Sequence, residues 1–224
     1  MTAHQIFAKA AWRLIPFMML LYVVSFIDRT NAAFAALTMN KDLGFSPTVF
    51  GFGAGLFFVG YALFQVPANL ILEWVGPQRW IFCISATWGL LSASNALVQS
   101  SLSFYTVRFL LGVAEAGFFP GMLLYLTYWF PRTYLARVTA NFMVAIPLSA
   151  VIGGPLSSVI LGMDGVARVH GWQWLFLIEG MPALLLSFAV LKLLPDGPAR
   201  ASWLTVGEKE LIIKSLAAEE PPGR

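Results

Sequence analysis

Two charged side chains stand inside an apolar stretch near the middle of the chain. The stretch covers residues 105–120, YTVRFLLGVAEAGFFP, and contains Arg108 and Glu115. Two turns of helix separate them, so both would lie on one helix face about 10 Å apart along the axis. A charge at the centre of a membrane costs about 2.5–3.5 kcal/mol even on a lenient scale. The pattern therefore predicts that both side chains meet partners on other helices or line a water-filled cavity.

Polar residues in the first two apolar stretches could supply those partners. Asp28 and Arg29 are adjacent in the first stretch, and because neighbouring helical residues are turned about 100° apart, they can face different helices. Tyr61, Gln65 and Asn69 repeat every fourth residue in the second stretch and would form one polar stripe. A functional cluster is the interpretation we favour. The alternative is a set of static ion pairs that only hold the helices together.

The residue types in this cluster suit the binding of an anion together with a proton. Arginine stays charged in a dehydrated site and holds a carboxylate through two donors. A buried carboxylate can load a proton on one side of a membrane and release it on the other. The sequence has no metal-ligand cluster, nucleophile triad or phosphate-binding glycine loop. We therefore predict no catalytic residue, no metal, no cofactor and no enzymatic activity, with protons as the coupling ion.

The composition indicates an integral membrane protein of the lipid bilayer. Hydrophobic residues make up 58% of the chain and charged residues 11%, whereas soluble domains carry about 25% charged residues. No basic cluster occurs, which argues against nucleic-acid binding. The apolar stretches lack the alternation of barrel strands, so we predict an all-α protein. Six stretches are long enough to span a bilayer, at about residues 13–38, 48–72, 79–98, 103–129, 136–161 and 172–194.

The distribution of lysine and arginine predicts how the spans are oriented. Ten of these residues fall on the side that holds both termini, and two fall on the other side. By the positive-inside rule both termini are cytoplasmic, and we expect a multi-pass protein of the plasma (inner) membrane. The basic N-terminus is not followed by a small-residue cleavage site, so we expect the first span to be retained.

The spans divide into two groups of three. The first helix of each group, span one and span four, carries an acid–arginine pair, which suggests two inverted three-helix repeats. Residues 1–194 would form this six-helix unit, and residues 195–224 a cytoplasmic segment. In that segment Thr205 and Glu208 form a capping-box pattern that predicts a short amphipathic helix, and the last residues, 219–224, read as a disordered tail.

Two isolated residues are expected to have structural rather than functional roles. Glu179, early in span six, is expected to bond to a neighbouring helix end. Cys83, the single cysteine, is expected to pack in the core, as free cysteines usually do.

Four segments of this sequence resemble one family. They are FIDRTNAAFA at 26–35, RFLLGVAEAGFFPG at 108–121, GWQWLFLIEGMP at 171–182 and LPDGPARASWL at 194–204. They are similar to the anion:cation symporter family of the major facilitator superfamily, and most similar to its tartrate- and phthalate-type organic-acid transporters. The resemblance covers the whole chain and implies proton-coupled uptake of carboxylates such as tartrate-like or sugar acids by alternating access.

The resemblance also implies roles for individual residues. Asp28 and Glu115 would carry protons, and the substrate would be bound by Arg29 and Tyr61, with Asn31 and Gln65 nearby. Arg108 would be a gating or coupling partner of the carboxylates. The superfamily's second-loop signature is present in altered form as NLILEWVGPQR at 69–79, in which Glu73 and Arg79 remain as candidate gate residues. Phe26 stands where relatives often have tyrosine, which removes one possible hydrogen bond to substrate.

Members of this family have twelve spans in two halves, and this sequence corresponds to the first six. We therefore expect the N-terminal half of a transporter that works with a C-terminal six-helix half. Two alternatives remain open at this point. The chain could transport as a homodimer, or it could be a truncated membrane protein or scaffold that does not transport.

Overall fold

The computed structural model describes residues 2–219, and six of its helical segments are long and apolar enough to cross a membrane. This confirms the predicted all-α fold with six spans. We call them spans one to six, and their bounds are Ala3–Asp42, Pro47–Val75, Pro77–Leu97, Ser101–Thr127, Arg132–Leu161 and Gly171–Leu193. A shorter helix, Val206–Ala217, follows them.

Side-chain caps begin several of these helices outside the apolar stretches. Span one starts about ten residues before its apolar stretch, because Thr2 and Gln5 form a reciprocal capping box there. Ser46 accepts a hydrogen bond from the backbone N–H of Val49 at the start of span two. These caps satisfy N–H groups that the first helical turn leaves without partners.

Prolines interrupt spans four and five. Span four consists of the helices Ser101–Glu115 and Phe118–Thr127, and span five of Arg132–Met143 and Ala145–Leu161. Each break lies close to the residue four positions before a proline, Pro120 or Pro147. Proline has no N–H to bond to that earlier carbonyl, and its ring clashes with it, so the regular ladder stops.

The packing of the spans has the symmetry of the predicted inverted repeat. Span two packs on span four, and span one packs on span five; span three packs on span six. Span one also packs on span six, and span three on span four. Exchanging spans one, two and three with four, five and six reproduces this same set of pairs. The pattern of neighbours therefore agrees with two three-helix units related by a pseudo-twofold axis.

Two glycines let spans two and four touch through their backbones. A Cβ at Gly112 would lie 2.0 Å from the carbonyl oxygen of Phe57, and one at Gly60 would lie 2.5 Å from that of Phe109. Only glycine allows this approach, as in other membrane helix contacts. The contact places Phe57 and the polar residues of span two directly against the charged face of span four.

The segment after span six returns to the start of span one. The predicted capping box of Thr205 and Glu208 is present, and it begins the helix Val206–Ala217. The ammonium group of Lys9 donates to both carboxylate oxygens of Glu208 at 2.9 Å. The two ends of the six-span unit therefore lie on the same side. The predicted disordered tail falls mostly in residues 220–224, which lie outside the described residues.

The expectation for Cys83 was wrong. The thiol is exposed and lines a groove of about 220 Å³ between spans two, three and four, together with Ala68 and Val113. A cysteine at the surface of the isolated chain cannot be distinguished from a core cysteine by hydrophobicity, because the surface within the bilayer is apolar as well.

Candidate functional site

An ion pair between spans one and four forms the centre of the candidate site. Nε and Nη2 of Arg29 donate to Oε2 of Glu115 at 3.2 and 2.8 Å. The Glu115 side chain is fully buried, and that of Arg29 is 21% exposed. Oε1 of Glu115 has no hydrogen-bond partner. The sequence predicted a contact between the charged residues of spans one and four. The ion pair of Arg29 and Glu115 is that contact.

Arg108 lies beside this pair, and part of its guanidinium group has no hydrogen-bond acceptor. The residue is 3% exposed, and neither Nε nor Nη1 has a hydrogen-bond acceptor. It lies close enough to Asp28 and Glu115 to attract both carboxylates. A buried arginine with free donors is costly unless an acceptor completes it. The site therefore contains buried N–H donors that no acceptor among the described residues satisfies.

Asp28 is held by three donors from two helices. Its Oδ1 accepts from Nδ2 of Asn31 at 2.8 Å and from the hydroxyl of Ser92, and its Oδ2 accepts from Nε1 of Trp88 at 2.7 Å. Asp28 is fully buried. Span three thus supplies two of the three donors, and sequence reasoning missed both. Asn31, predicted to contact substrate, is itself buried, and its amide is used by Asp28.

Aromatic rings of span two lie under both arginines. The Arg29 guanidinium carbon is 4.9 Å from the ring centre of Tyr61 and 5.7 Å from that of Phe57, and the Arg108 carbon is 4.8 Å from the Phe57 ring. Contacts of this kind are attractive by about 0.5–2 kcal/mol, depending on desolvation. Tyr61 is therefore at the predicted site, and Phe57, which reads as an ordinary apolar residue in the sequence, joins it.

The remaining predicted site residues lie farther along span two and at the start of span three. Gln65 is half-buried, one helical turn after Tyr61. Glu73 and Arg79 are exposed and line one groove with Asp196 and Arg200. Within residues 2–219 neither Glu73 nor Arg79 forms an ion pair. The structure thus brings Asp28, Arg29, Arg108, Glu115 and Tyr61 together and leaves the candidate gate residues apart from them.

Glu179 has a different partner from the one expected. Its Oε1 accepts a hydrogen bond from the hydroxyl of Ser157 at 2.8 Å, and Ser157 lies inside a helix of span five rather than at a helix end. The expected bond to a helix terminus was therefore wrong. Both residues are buried.

Chemically, the site combines a buried arginine, Arg108, and a partly exposed one, Arg29, with two buried carboxylates. With every group ionised the four charges cancel. A proton on Glu115 would weaken its hold on Arg29 and leave a net positive site with free N–H donors. A site with a net positive charge and free N–H donors would attract a carboxylate more strongly than a neutral one, because charge-assisted hydrogen bonds are stronger than neutral ones.

Comparisons with known proteins agree with this fold. The sequence profile of the Major Facilitator Superfamily matches residues 18–220. An Agrobacterium vitis protein named for tartrate transport is 55% identical over 216 residues, which is 96% of this chain and 48% of the relative. NicT of Pseudomonas putida, named for metabolite transport, is 50% identical over 220 residues, which is 98% of this chain and 50% of that protein.

A solved structure has the same arrangement of helices. A bacterial homologue of the human lysosomal transporter Spinster, crystallised in an inward-facing and unoccupied conformation, superposes with a TM-score of 0.77. It shares 18% sequence identity, with 89% of this chain and 45% of that chain covered. The chain spans about half the length of the curated relatives it matches. The profile match across most of the sequence and the close relatives together show that this chain belongs to the Major Facilitator Superfamily.

Proposed function

We propose that this chain forms the N-terminal half of a proton-coupled transporter of organic anions. The observation that carries the proposal is the buried guanidinium group of Arg108, whose Nε and Nη1 have no acceptor, beside the Arg29–Glu115 pair. Arg29 and Tyr61 would bind the anion with Gln65 at the edge of the site, and Arg108 would bind it as well as couple it to the carboxylates. Asn31, whose amide donates to Asp28, would act on the site through that carboxylate.

Organic acids are the substrate class that fits this site best. Two arginines can hold carboxylate oxygens through paired donors, and the hydroxyl of Tyr61 and the amide of Gln65 can bind substrate hydroxyl groups. The relative named for tartrate transport supports a hydroxylated carboxylate such as tartrate or a sugar acid.

Proton coupling follows from competition for Arg29. While Glu115 is ionised it occupies two donors of Arg29. A proton on Glu115 releases these donors to the substrate, so proton and anion bind together and leave together. Asp28 would be the second proton carrier, and alternation of the site between the two membrane faces would move both solutes.

The proposal also covers the cytoplasmic gate and the orientation of the chain in the membrane. Glu73 and Arg79 share a groove at the end of span two and would contact a second half when the cytoplasmic side closes. The excess of lysine and arginine on the side of both termini supports a cytoplasmic location for that side in the inner membrane.

Reconstitution with and without a second half tests this function. We expect the purified chain alone to be marginally stable and not to accumulate tartrate in liposomes under a proton gradient. Co-expression with the C-terminal half of the Agrobacterium vitis relative should raise its melting temperature, since a partner that binds only the folded state stabilises it. The assembled pair should accumulate tartrate.

Two outcomes would contradict the proposal. Robust uptake by the purified chain, with native sizing at twice its mass, would instead support a homodimer. A stable assembly of two halves that takes up none of a panel of mono- and dicarboxylates would support a scaffold without transport activity.

A further inference from the structure

Glu179 is a buried carboxyl group that the proposed transport mechanism does not use. It lies in span six, is 3% exposed, and its Oε1 accepts from the Ser157 hydroxyl at 2.8 Å. Its Oε2 is buried and has no hydrogen-bond partner. Within residues 2–219, no lysine, arginine or histidine lies within 4 Å of it. An ionised carboxylate in this position would therefore lack both a cation and a full set of donors.

The side chains around Glu179 act on a negative charge there in opposite directions. Asp28 of span one repels it, whereas the neutral side chains of Ser157 from span five and Asn31 from span one favour it through hydrogen bonding. Asn31 already donates to Asp28, and Arg29 forms its ion pair with Glu115. The arginines of the site therefore stabilise the negative charges of Asp28 and Glu115. Glu179 has a carboxyl group, Asp28, as its charged neighbour instead.

Close backbone packing keeps Glu179 in this place. A Cβ on Gly180 would lie 2.9 Å from the backbone nitrogen of Ala93, and one on Gly89 would lie 2.7 Å from that of Leu184. Spans three and six thus touch at the residue that follows Glu179. Because the backbone is fixed there, the carboxyl group cannot withdraw to water without a change in helix packing.

We propose that Glu179 is a proton-binding site, occupied when spans one, five and six pack as described. As a neutral acid, Glu179 can exchange a hydrogen bond with Ser157 in either direction and does not repel Asp28. Loss of the proton would set two buried negative charges against each other and loosen the packing of span six on spans one and five. This site is additional to Asp28 and Glu115, and it would bind its proton in the folded chain with or without substrate.

Infrared spectroscopy of the full chain tests the proposal directly. Exposed carboxylates are ionised at a pH of about 7, so we expect the C=O stretch of a protonated carboxyl group to mark buried acids only. Glu179→Gln should remove one component of this band. Glu210→Gln, a change at an exposed glutamate, should leave the band unchanged. A band of wild-type intensity in Glu179→Gln would overturn the proposal.

Thermal unfolding at different pH values gives an independent readout. If the folded state holds a proton that the unfolded state loses, stability falls as the pH rises above about 4.3, where an unfolded glutamate ionises, until the folded state also loses the proton. The wild-type chain and Glu210→Gln should then share a decrease in melting temperature between about pH 6 and pH 8, a range in which exposed carboxylates do not titrate. Glu179→Gln should show a smaller decrease, and an unchanged slope would contradict a proton at this position.

A second variant covers the case in which Glu179→Gln does not fold. Ser157→Ala keeps the carboxyl group and removes its hydrogen-bond partner. The infrared band of Glu179 should then move to the frequency of a free acid, and a band that does not move in Ser157→Ala would also overturn the proposal.

Discussion

Arg29 donates from two nitrogens to a single oxygen of Glu115, and the other carboxylate oxygen of Glu115 is buried without a partner. The pair is therefore unsymmetrical. A proton can be added to the free Oε1 while the bonds to Oε2 are still in place. Protonation and release of Arg29 can then follow one another, and two predictions on transport depend on this geometry.

The first prediction concerns proton coupling. In the chain assembled with a second half, Glu115→Gln should keep substrate exchange between the two sides of the membrane, because glutamine is neutral like the protonated acid. It should lose accumulation driven by a proton gradient. Radiolabelled tartrate flux with and without the gradient measures both, with Glu210→Gln as the control. Accumulation at the wild-type level in Glu115→Gln would exclude Glu115 as a proton carrier.

The second prediction concerns anion recognition by Arg29. Arg29→Lys keeps a positive charge but cannot offer two donors in a fixed plane. We expect binding of the preferred carboxylate to weaken at least tenfold, or about 1.4 kcal/mol. Calorimetry on the assembled halves gives the Kd, and Arg13→Lys, at an exposed position of the same span, is the matched control. If Kd does not change, Arg29 has only a structural role.

The third prediction concerns the contact that brings spans two and four together. A methyl group at Gly112 would overlap the carbonyl of Phe57, so Gly112→Ala must separate the two helices. We expect a loss of about 1–3 kcal/mol of stability, the usual range for overpacking. Gly55→Ala, on span two with nothing within 4 Å of the added Cβ, should leave stability nearly unchanged. Equal melting temperatures for both variants in detergent would show that the contact is not needed.

The fourth prediction concerns pH and the helix Val206–Ala217. The Lys9 ammonium and then the backbone N–H of Thr205 lower the pKa of Glu208 below its ordinary value of 4.5. A lowered pKa in the folded state means that the contact stabilises the chain above that value and is lost as the pH falls further. The helix should therefore stay attached at neutral pH and detach in acid.

Hydrogen exchange at residues 206–217 measures this detachment. Protection factors, which are corrected for the intrinsic slowing of amide exchange in acid, should fall on acidification and should already be low at neutral pH in Glu208→Gln. Glu210→Gln, on the exposed side of the same helix, should exchange like wild type. Equal protection in Glu208→Gln and wild type would show that the helix is held by its apolar contacts alone.

Much of the fold could be predicted because the bilayer restricts the possibilities so strongly. Apolar length gave the six spans, and the charges inside spans one and four identified the residues that had to meet. The family resemblance is also confirmed at the level of the superfamily. The start of span one could not be predicted from apolar length, because it depends on a polar capping box outside the apolar stretch.

The partners of Asp28 and Glu179 could not be predicted, because they depend on how each helix is rotated about its axis. Trp88 and Ser92 are four residues apart and would share one helix face, which is a signal that could have been noticed. Which face of span three meets span one is set by the glycine contact between spans three and six, and a single sequence does not reveal that contact.

The two proline breaks also mark off one segment of the chain. Between them, the helices Phe118–Thr127 and Arg132–Met143 form a hairpin that is joined to the rest of the chain by one irregular turn at each end. Its tip is fastened to the segment after span six, through stacking of Trp129 on Trp203 and a hydrogen bond from Tyr125 to the carbonyl of Pro195. Glu115 is the last residue of the regular helix before the first break. Beyond the break, Phe142 of the hairpin stacks on Tyr22 of span one, so the hairpin is packed in the same core as the helix that carries Arg29.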